Sequence, residues 1–141
     1  MDIQSRQKAI IDEYTAIADW EERYRRIIEA GRELAAMDEA HKTEKNKVKG
    51  CQSTVWLSAA LQDGRIVLQG DSDAMIVRGL IALLLQVYNG ATPAEVLATP
   101  PEFINATGLG SHLSQTRANG LAAMVKQIKL YATVFAAMQK K

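Results

Sequence analysis

The sequence predicts an α+β fold in which helices flank one small antiparallel β-sheet. Three observations carry this expectation. Two alternating apolar segments are joined by Asp63-Gly64, the strongest short hairpin signal in the chain. Helical apolar periodicity both precedes and follows that hairpin. The 141 residues suit one domain spanning 1–141, and a hydrophobic content of 48% argues against disorder.

Each element has its own signal. Ile10, Ile11, Tyr14, Ile17 and Ala18 fall at helical spacing and predict a first helix over 5–18. Asp19 and Glu22 have the N-cap and N3 spacing of a capping box for a second helix. Trp20, Tyr24, Ile27, Ile28 and Leu34 mark its apolar face. Gly31 costs such a helix about 1 kcal/mol relative to alanine and so marks a close packing contact. Residues 37–50 are charged without apolar period and read as a solvated connector. Val55, Leu57, Ala59 and Leu61 then alternate along a strand, and 65–69 form its return partner. Gly70-Asp71-Ser72-Asp73 is expected to end that strand, with Ser72 or Asp73 capping the helix that follows. This helix, over 73–89, is apolar nearly all round and therefore central, with Gly79 allowing close approach to the sheet. Asn89-Gly90 ends it. Thr92-Pro93-Ala94-Glu95 opens a short helix reaching Ala98, Thr99-Pro100-Pro101 interrupts the chain, and 102–105 form one turn. Ser114 caps a long last helix with Leu121, Met124, Val125, Ile128, Ala132, Phe135 and Met138 on one stripe. Lys140 and Lys141 suit its C-terminal dipole.

Composition excludes several functions. Seventeen basic residues against sixteen acidic give a net charge of +1, without the basic excess of a nucleic-acid binder. The N-terminus lacks the apolar core of a signal peptide, and the most apolar run, 74–88, is too short to span a bilayer. A cytoplasmic address is expected, where a free thiol stays reduced. No nucleophile elbow, P-loop or dinucleotide fingerprint is present. His41 and His112 lack the short spacing of a metal pair.

One residue stands out. Cys51 is the only cysteine, preceded by Gly50 and by Lys47 and Lys49, where the connector meets the first strand. A lone thiol makes no intramolecular disulfide and completes no four-ligand metal site. It is either a small buried hydrophobe or a nucleophile and carrier acting through its thiolate. Asp71 and Asp73 read first as helix caps, Asp being a preferred capping residue. Arg117, in the first turn of the last helix, sits against the helix dipole and so invites an anionic partner. Trp56 reads as core, with an indole N–H that needs a partner when buried.

Three collinear blocks then resemble one family. Gly50-Cys51-Gln52-Ser53-Thr54-Val55-Trp56 resembles the signature of the SufE sulfur acceptors. Gly70-Asp71-Ser72-Asp73-Ala74-Met75-Ile76-Val77-Arg78-Gly79-Leu80 is similar to a second family block, and Leu113-Ser114-Gln115-Thr116-Arg117-Ala118-Asn119-Gly120-Leu121 to a third. Asp19-Trp20-Glu21-Glu22-Arg23-Tyr24 is similar as well. The resemblance implies a SufE/IscU-like fold and a loop cysteine that takes persulfide sulfur from a SufS-type cysteine desulfurase. It implies stimulation of that enzyme and delivery of the sulfur to an iron–sulfur scaffold of the SufBCD kind. No cofactor or metal is expected on this chain, since the pyridoxal phosphate belongs to the desulfurase. A monomer and a homodimer both fit.

The residues themselves agree on mechanism. Cys51 is the expected catalytic residue, Gly50 lets its loop change shape, Gln52 follows it, and Asp71, Asp73 and Arg117 are candidate anchors of the resting loop. Lys47 and Lys49 are placed to favour the thiolate, an effect that an exposed loop screens. Two other readings stay open: a self-contained thiol peroxidase or hydrolase, which needs a base beside Cys51, and an interaction module with an inert cysteine. A Cys51–His112 dyad would serve the former.

Overall fold

The computed structural model describes residues 2–139. Helix α1 (Ile3–Thr15) is capped by Asp2, whose carboxylate accepts from Ser5 N at 2.7 Å. It starts and stops earlier than its periodicity predicts. Ile17 lies past its end, where its carbonyl accepts from Arg23 Nε of the next helix. Helix α2 (Trp20–Glu33) begins after Asp19, as expected, but not through the predicted box. The Asp19 carboxylate accepts from Glu21 N at 3.1 Å, and Glu22 turns instead to Arg25.

The connector is exposed through most of its length, yet it is not structureless. It winds into two 3-10 turns, Glu39–His41 and Glu44–Asn46. Met37 and Val48 are buried and pin it to the body. Val48 N donates to Val55 O at 2.8 Å, and Lys47 bridges Trp56 in antiparallel fashion, so the connector lies along the outer edge of the first strand.

Strands β1 (Val55–Gln62) and β2 (Arg65–Ser72) form a two-stranded antiparallel ribbon. Asp63 and Gly64 take φ of 52° and 77°, the pair of positive values a two-residue I′ hairpin requires. β2 runs further than its sequence suggests. Gly70, Asp71 and Ser72 stay in register with Leu57, Trp56 and Val55 rather than ending the strand. Ser72 Oγ then accepts from Ala74 N at 3.2 Å, and Asp73 turns back to the sheet instead of capping a helix. Val55, Leu57, Ile66 and Leu68 are buried on one face, as the alternation predicts.

Helix α3 (Met75–Tyr88) is the centre of the molecule. Val77, Leu80, Ile81, Ala82, Leu83, Leu84, Val87 and Tyr88 are all buried, which is what an all-round apolar helix must achieve. Its Gly79 faces α2, not the sheet. A Cβ there would stand 2.2 Å from Ile27 O, and one on Gly31 would stand 2.7 Å from Gly79 N. The two glycines form the crossing point of the helices, and α3 meets the sheet instead at Gly70, where a Cβ would stand 2.7 Å from Ile81 Cγ2.

Beyond α3, Asn89 and Gly90 return along the free edge of β2. Asn89 Oδ1 accepts from Leu68 N, while Gly90 N and Ala91 O bond Ile66. Helix α4 (Pro93–Ala98) carries the full predicted capping box between Thr92 and Glu95. Helices α5 (Glu102–Ala106) and α6 (Leu109–His112) follow, the second of them in a stretch with no apolar period to announce it.

Helix α7 (Gln115–Gln139) closes the fold. Ser114 Oγ accepts from Arg117 N at 3.2 Å, the expected cap. Leu121, Met124, Ile128 and Ala132 are buried, but Met138, expected on the same stripe, is 54% exposed. At about 1.5 Å per helical residue and about 3.3 Å per strand residue, α7 outlasts the hairpin it packs beside. Lys140 and Lys141 lie outside the described residues. By length and composition α7 could cross a bilayer, a test that residues 74–88 alone fail. Here it packs against α4 and β1. Lys129 Nζ donates to Thr99 O at 2.7 Å and to Val96 O, and Tyr131 Oη donates to Leu57 O at 2.9 Å.

Candidate functional site

Cys51 lies between the connector and β1, on a loop laid across α7. Gly50 takes φ +94°, a left-handed value that glycine adopts without strain. Its open side faces Ala123 at 3.5 Å. This conformation turns the chain so that the next side chain meets the helix. Cys51 Sγ donates to Gly120 O at 3.6 Å, and a Cβ on Gly120 would stand 3.4 Å from the sulfur. At 120 the thiol thus seats directly against the helix backbone.

The thiol opens into a cavity of about 290 Å³. Val55, Val77, Leu80, Leu121 and Met124 form its apolar floor, and Gln52, Ser53, Ser114, Thr116 and Arg117 its polar rim. Burial raises the Cys51 pKa above its ordinary 9.0. Lys47 and Lys49, placed to favour the thiolate, do not reverse this. Both are exposed, and water screens them. In this position Cys51 is a protonated, half-buried thiol.

The other candidate residues divide. Gln52 and Arg117 share the cavity with Cys51. Asp73 holds the strand just beyond the loop, its Oδ1 accepting from Thr54 N at 3.1 Å. Asp71 is part of a different structure. Its carboxylate bonds Arg78 Nη1 at 2.6 Å and Lys42 Nζ at 2.9 Å and accepts from Ser72 N at 2.8 Å. Arg78 also donates to Gly31 O and Leu34 O at the end of α2. Asp71 thus fastens connector, sheet and α2 together rather than the cysteine loop. Burial alone would raise its pKa, but the Lys42 and Ser72 hydrogen bonds and the Arg78 charge hold it below the usual 3.8.

His112 is no partner for the thiol. Its ring stacks on Trp20 with centroids 3.7 Å apart and planes 10° from parallel, and Nδ1 lies 3.0 Å from Gly108 O. Among the described residues, no histidine or carboxylate lines the Cys51 cavity. Trp56 is half-buried on the outer face of β1, and its Nε1 is buried without a hydrogen-bond partner. Gly120 escaped sequence reading as a site residue. Only the packing of a loop 69 residues away places it beneath the sulfur.

Comparison with known proteins converges on one family. A family model described as "SufE: Fe-S metabolism associated domain" matches residues 8–132. An uncharacterised SufE-like protein of Synechocystis sp. is 42% identical over 126 residues, covering 89% of this chain and 79% of its own. Uncharacterised SufE-like proteins of Rhizobium etli and Rhizobium meliloti are 44% and 41% identical, with 91% and 85% of this chain covered and 90% and 89% of theirs. The solution structure of a hypothetical protein from Thermus thermophilus superposes with a TM-score of 0.79 at 21% identity, covering 94% of this chain and 96% of that one. At that identity the likeness concerns the fold.

Proposed function

The chain belongs to the SufE family, whose domain is associated with iron–sulfur metabolism, and from that premise we propose that Cys51 is a sulfur acceptor. The donor is a SufS-type, pyridoxal-phosphate-dependent cysteine desulfurase carrying a cysteine persulfide. The Cys51 thiolate attacks the outer sulfur of that persulfide. A new S–S bond forms on Cys51, the old one breaks, and the desulfurase cysteine leaves as a thiolate. The Cys51 proton passes to water or to the departing thiolate. No external oxidant or reductant enters, because the exchange conserves the S–S bond. Removing the sulfur frees the desulfurase for another turnover, so the carrier stimulates it. The recipient is an iron–sulfur scaffold of the SufBCD kind.

The observation that carries this reading is the setting of Cys51. The only thiol in the chain rests on a glycine-hinged loop, bonded to a backbone carbonyl, with no histidine or carboxylate beside it among the described residues. A self-contained peroxidase or hydrolase needs a low-pKa thiolate or an adjacent base, and this thiol is pushed the other way. A carrier needs a thiol quiet at rest, screened from oxidation, and active only when delivered to a partner. Gly50 provides the hinge for that delivery.

Mixing the protein with a purified SufS-type desulfurase and L-cysteine tests it. Intact mass spectrometry is expected to show an added sulfur, ~32 Da, on Cys51. The adduct and the stimulation of sulfide release should both vanish in Cys51→Ser. Full stimulation by Cys51→Ser would refute the proposal, and so would turnover of a peroxide or ester without any partner.

A further inference from the structure

Across α7 from the Cys51 cavity lies a second cleft, of about 440 Å³. Lys45, Lys47 and Lys49 of the connector form one wall, Lys126 of α7 the other, with Ala123 and Leu130 between them. All four lysines are exposed. Lys47 pairs with Glu44 at 2.6 Å, whereas Lys45, Lys49 and Lys126 enter no ion pair among the described residues. In a chain of net charge +1 this is a concentrated patch of one sign. It is joined to the cysteine both covalently and in space. Lys49 precedes Gly50, and Gly50 rests on Ala123, the residue that floors the cleft.

We infer that this cleft docks an acidic surface of the desulfurase, one presenting Asp or Glu side chains beside the mouth of its active site. The inference rests on the sulfur-acceptor reading and adds the face and charge of the contact. Lysines that find no carboxylate at home are matched by carboxylates on a partner, and Leu130, 53% exposed, gives that contact an apolar centre. Buried Val48 anchors the lysine-bearing segment, so the patch keeps its place while the loop beyond Gly50 moves. Charge of one sign also steers encounter, and salt weakens that steering.

Desulfurase stimulation is titrated with wild type, with the cleft triple Lys45→Glu/Lys49→Glu/Lys126→Glu, and with a control triple, Lys8→Glu/Arg25→Glu/Arg32→Glu, exposed on α1 and α2. The wild-type half-saturating concentration is expected to rise about fivefold between about 50 and about 300 mM NaCl. The cleft triple should raise it about tenfold at the lower salt and flatten the salt response, acting on half-saturation rather than on the plateau. A salt-independent wild type overturns the inference without any variant. Equal shifts in the two triples overturn it as a mere effect of net charge. So does an unchanged cleft triple that has selectively lost binding to a fluorescent oligonucleotide, which would assign the cleft to a polyanion. If wild type acquires no sulfur at all, the sulfur-acceptor reading fails first. If it loads normally while the cleft triple matches it, only the docking face fails.

Discussion

At the residue scale, the Cys51 thiol and the Gly120 carbonyl are the decisive pair. Burial favours the neutral thiol, so the seated loop is stable below the ordinary thiol pKa of 9.0 and loosens as pH rises through the higher, seated value. Alkylation of Cys51 by a neutral reagent is therefore expected to titrate above pH 9.0 in the free protein. A Cβ on Gly120 stands 3.4 Å from the sulfur, an ordinary van der Waals contact, so it takes the larger side chain of Gly120→Leu to fill the thiol's seat. That variant should expose the thiol, raising the alkylation rate at about pH 8 several-fold and moving its midpoint down towards the free-thiol value. An unchanged rate profile would mean that the seat does not govern access. Cysteine, glycine and arginine were all legible here as residues of interest. Which glycine met the sulfur was not, because nothing local to 120 mentions residue 51.

At the scale of elements, two joints hold the packed elements together. The first is the Gly31–Gly79 crossing of α2 and α3. Gly79→Ala drives a methyl into Ile27 O, which neither helix can avoid without moving apart, and should cost about 3 kcal/mol in urea unfolding. The second is the Asp71 clamp, whose side chain is 11% exposed. Asp71→Asn leaves Arg78 without its carboxylate, and about 2–3 kcal/mol of stability should go with it, less than a fully buried pair because Arg78 and Lys42 reach water. Its pH dependence has a definite sign. A carboxyl held below 3.8 stabilises the fold above that value and stops doing so as pH falls through its lower, folded pKa. Wild type should thus lose stability in acid more steeply than Asp71→Asn. Helices α1 to α5 and α7, the hairpin and the capping box of α4 were readable from spacing and turn chemistry, whereas α6 was not. The length of β2 was not. Gly70-Asp71-Ser72 looks like a turn until the register with β1 is known.

On the scale of the whole molecule, a two-stranded ribbon is marginal alone and must borrow its stability. α3 covers its face, residues 89–91 line one edge, and the connector and Tyr131 line the other. Unfolding is therefore expected to be concerted. Tyr131→Phe, which removes the bond to Leu57 O, should cost about 1 kcal/mol. It and Gly79→Ala, one at the edge of the ribbon and the other at the α2–α3 crossing, should shift one transition that far- and near-ultraviolet circular dichroism report alike. Separate transitions would show the ribbon melting apart from the helices. This closure also explains what sequence reading left out. Gly79 was expected to meet the sheet and Asp71 the cysteine loop, and each meets another element. Pattern reports that a residue is buried or paired, but only the packed chain reports with what.

The hollow next to Cys51 has a consequence for time. Its volume far exceeds that of one more atom, so under the sulfur-acceptor proposal a loop that swings home after loading would take its cargo under cover. Small-molecule thiols would then reach the outer sulfur slowly, and the loaded protein should outlive a persulfide on an unfolded chain. Production and consumption of sulfur need not coincide in such a cell. On the sulfur-acceptor proposal, the loaded protein itself would bridge the delay.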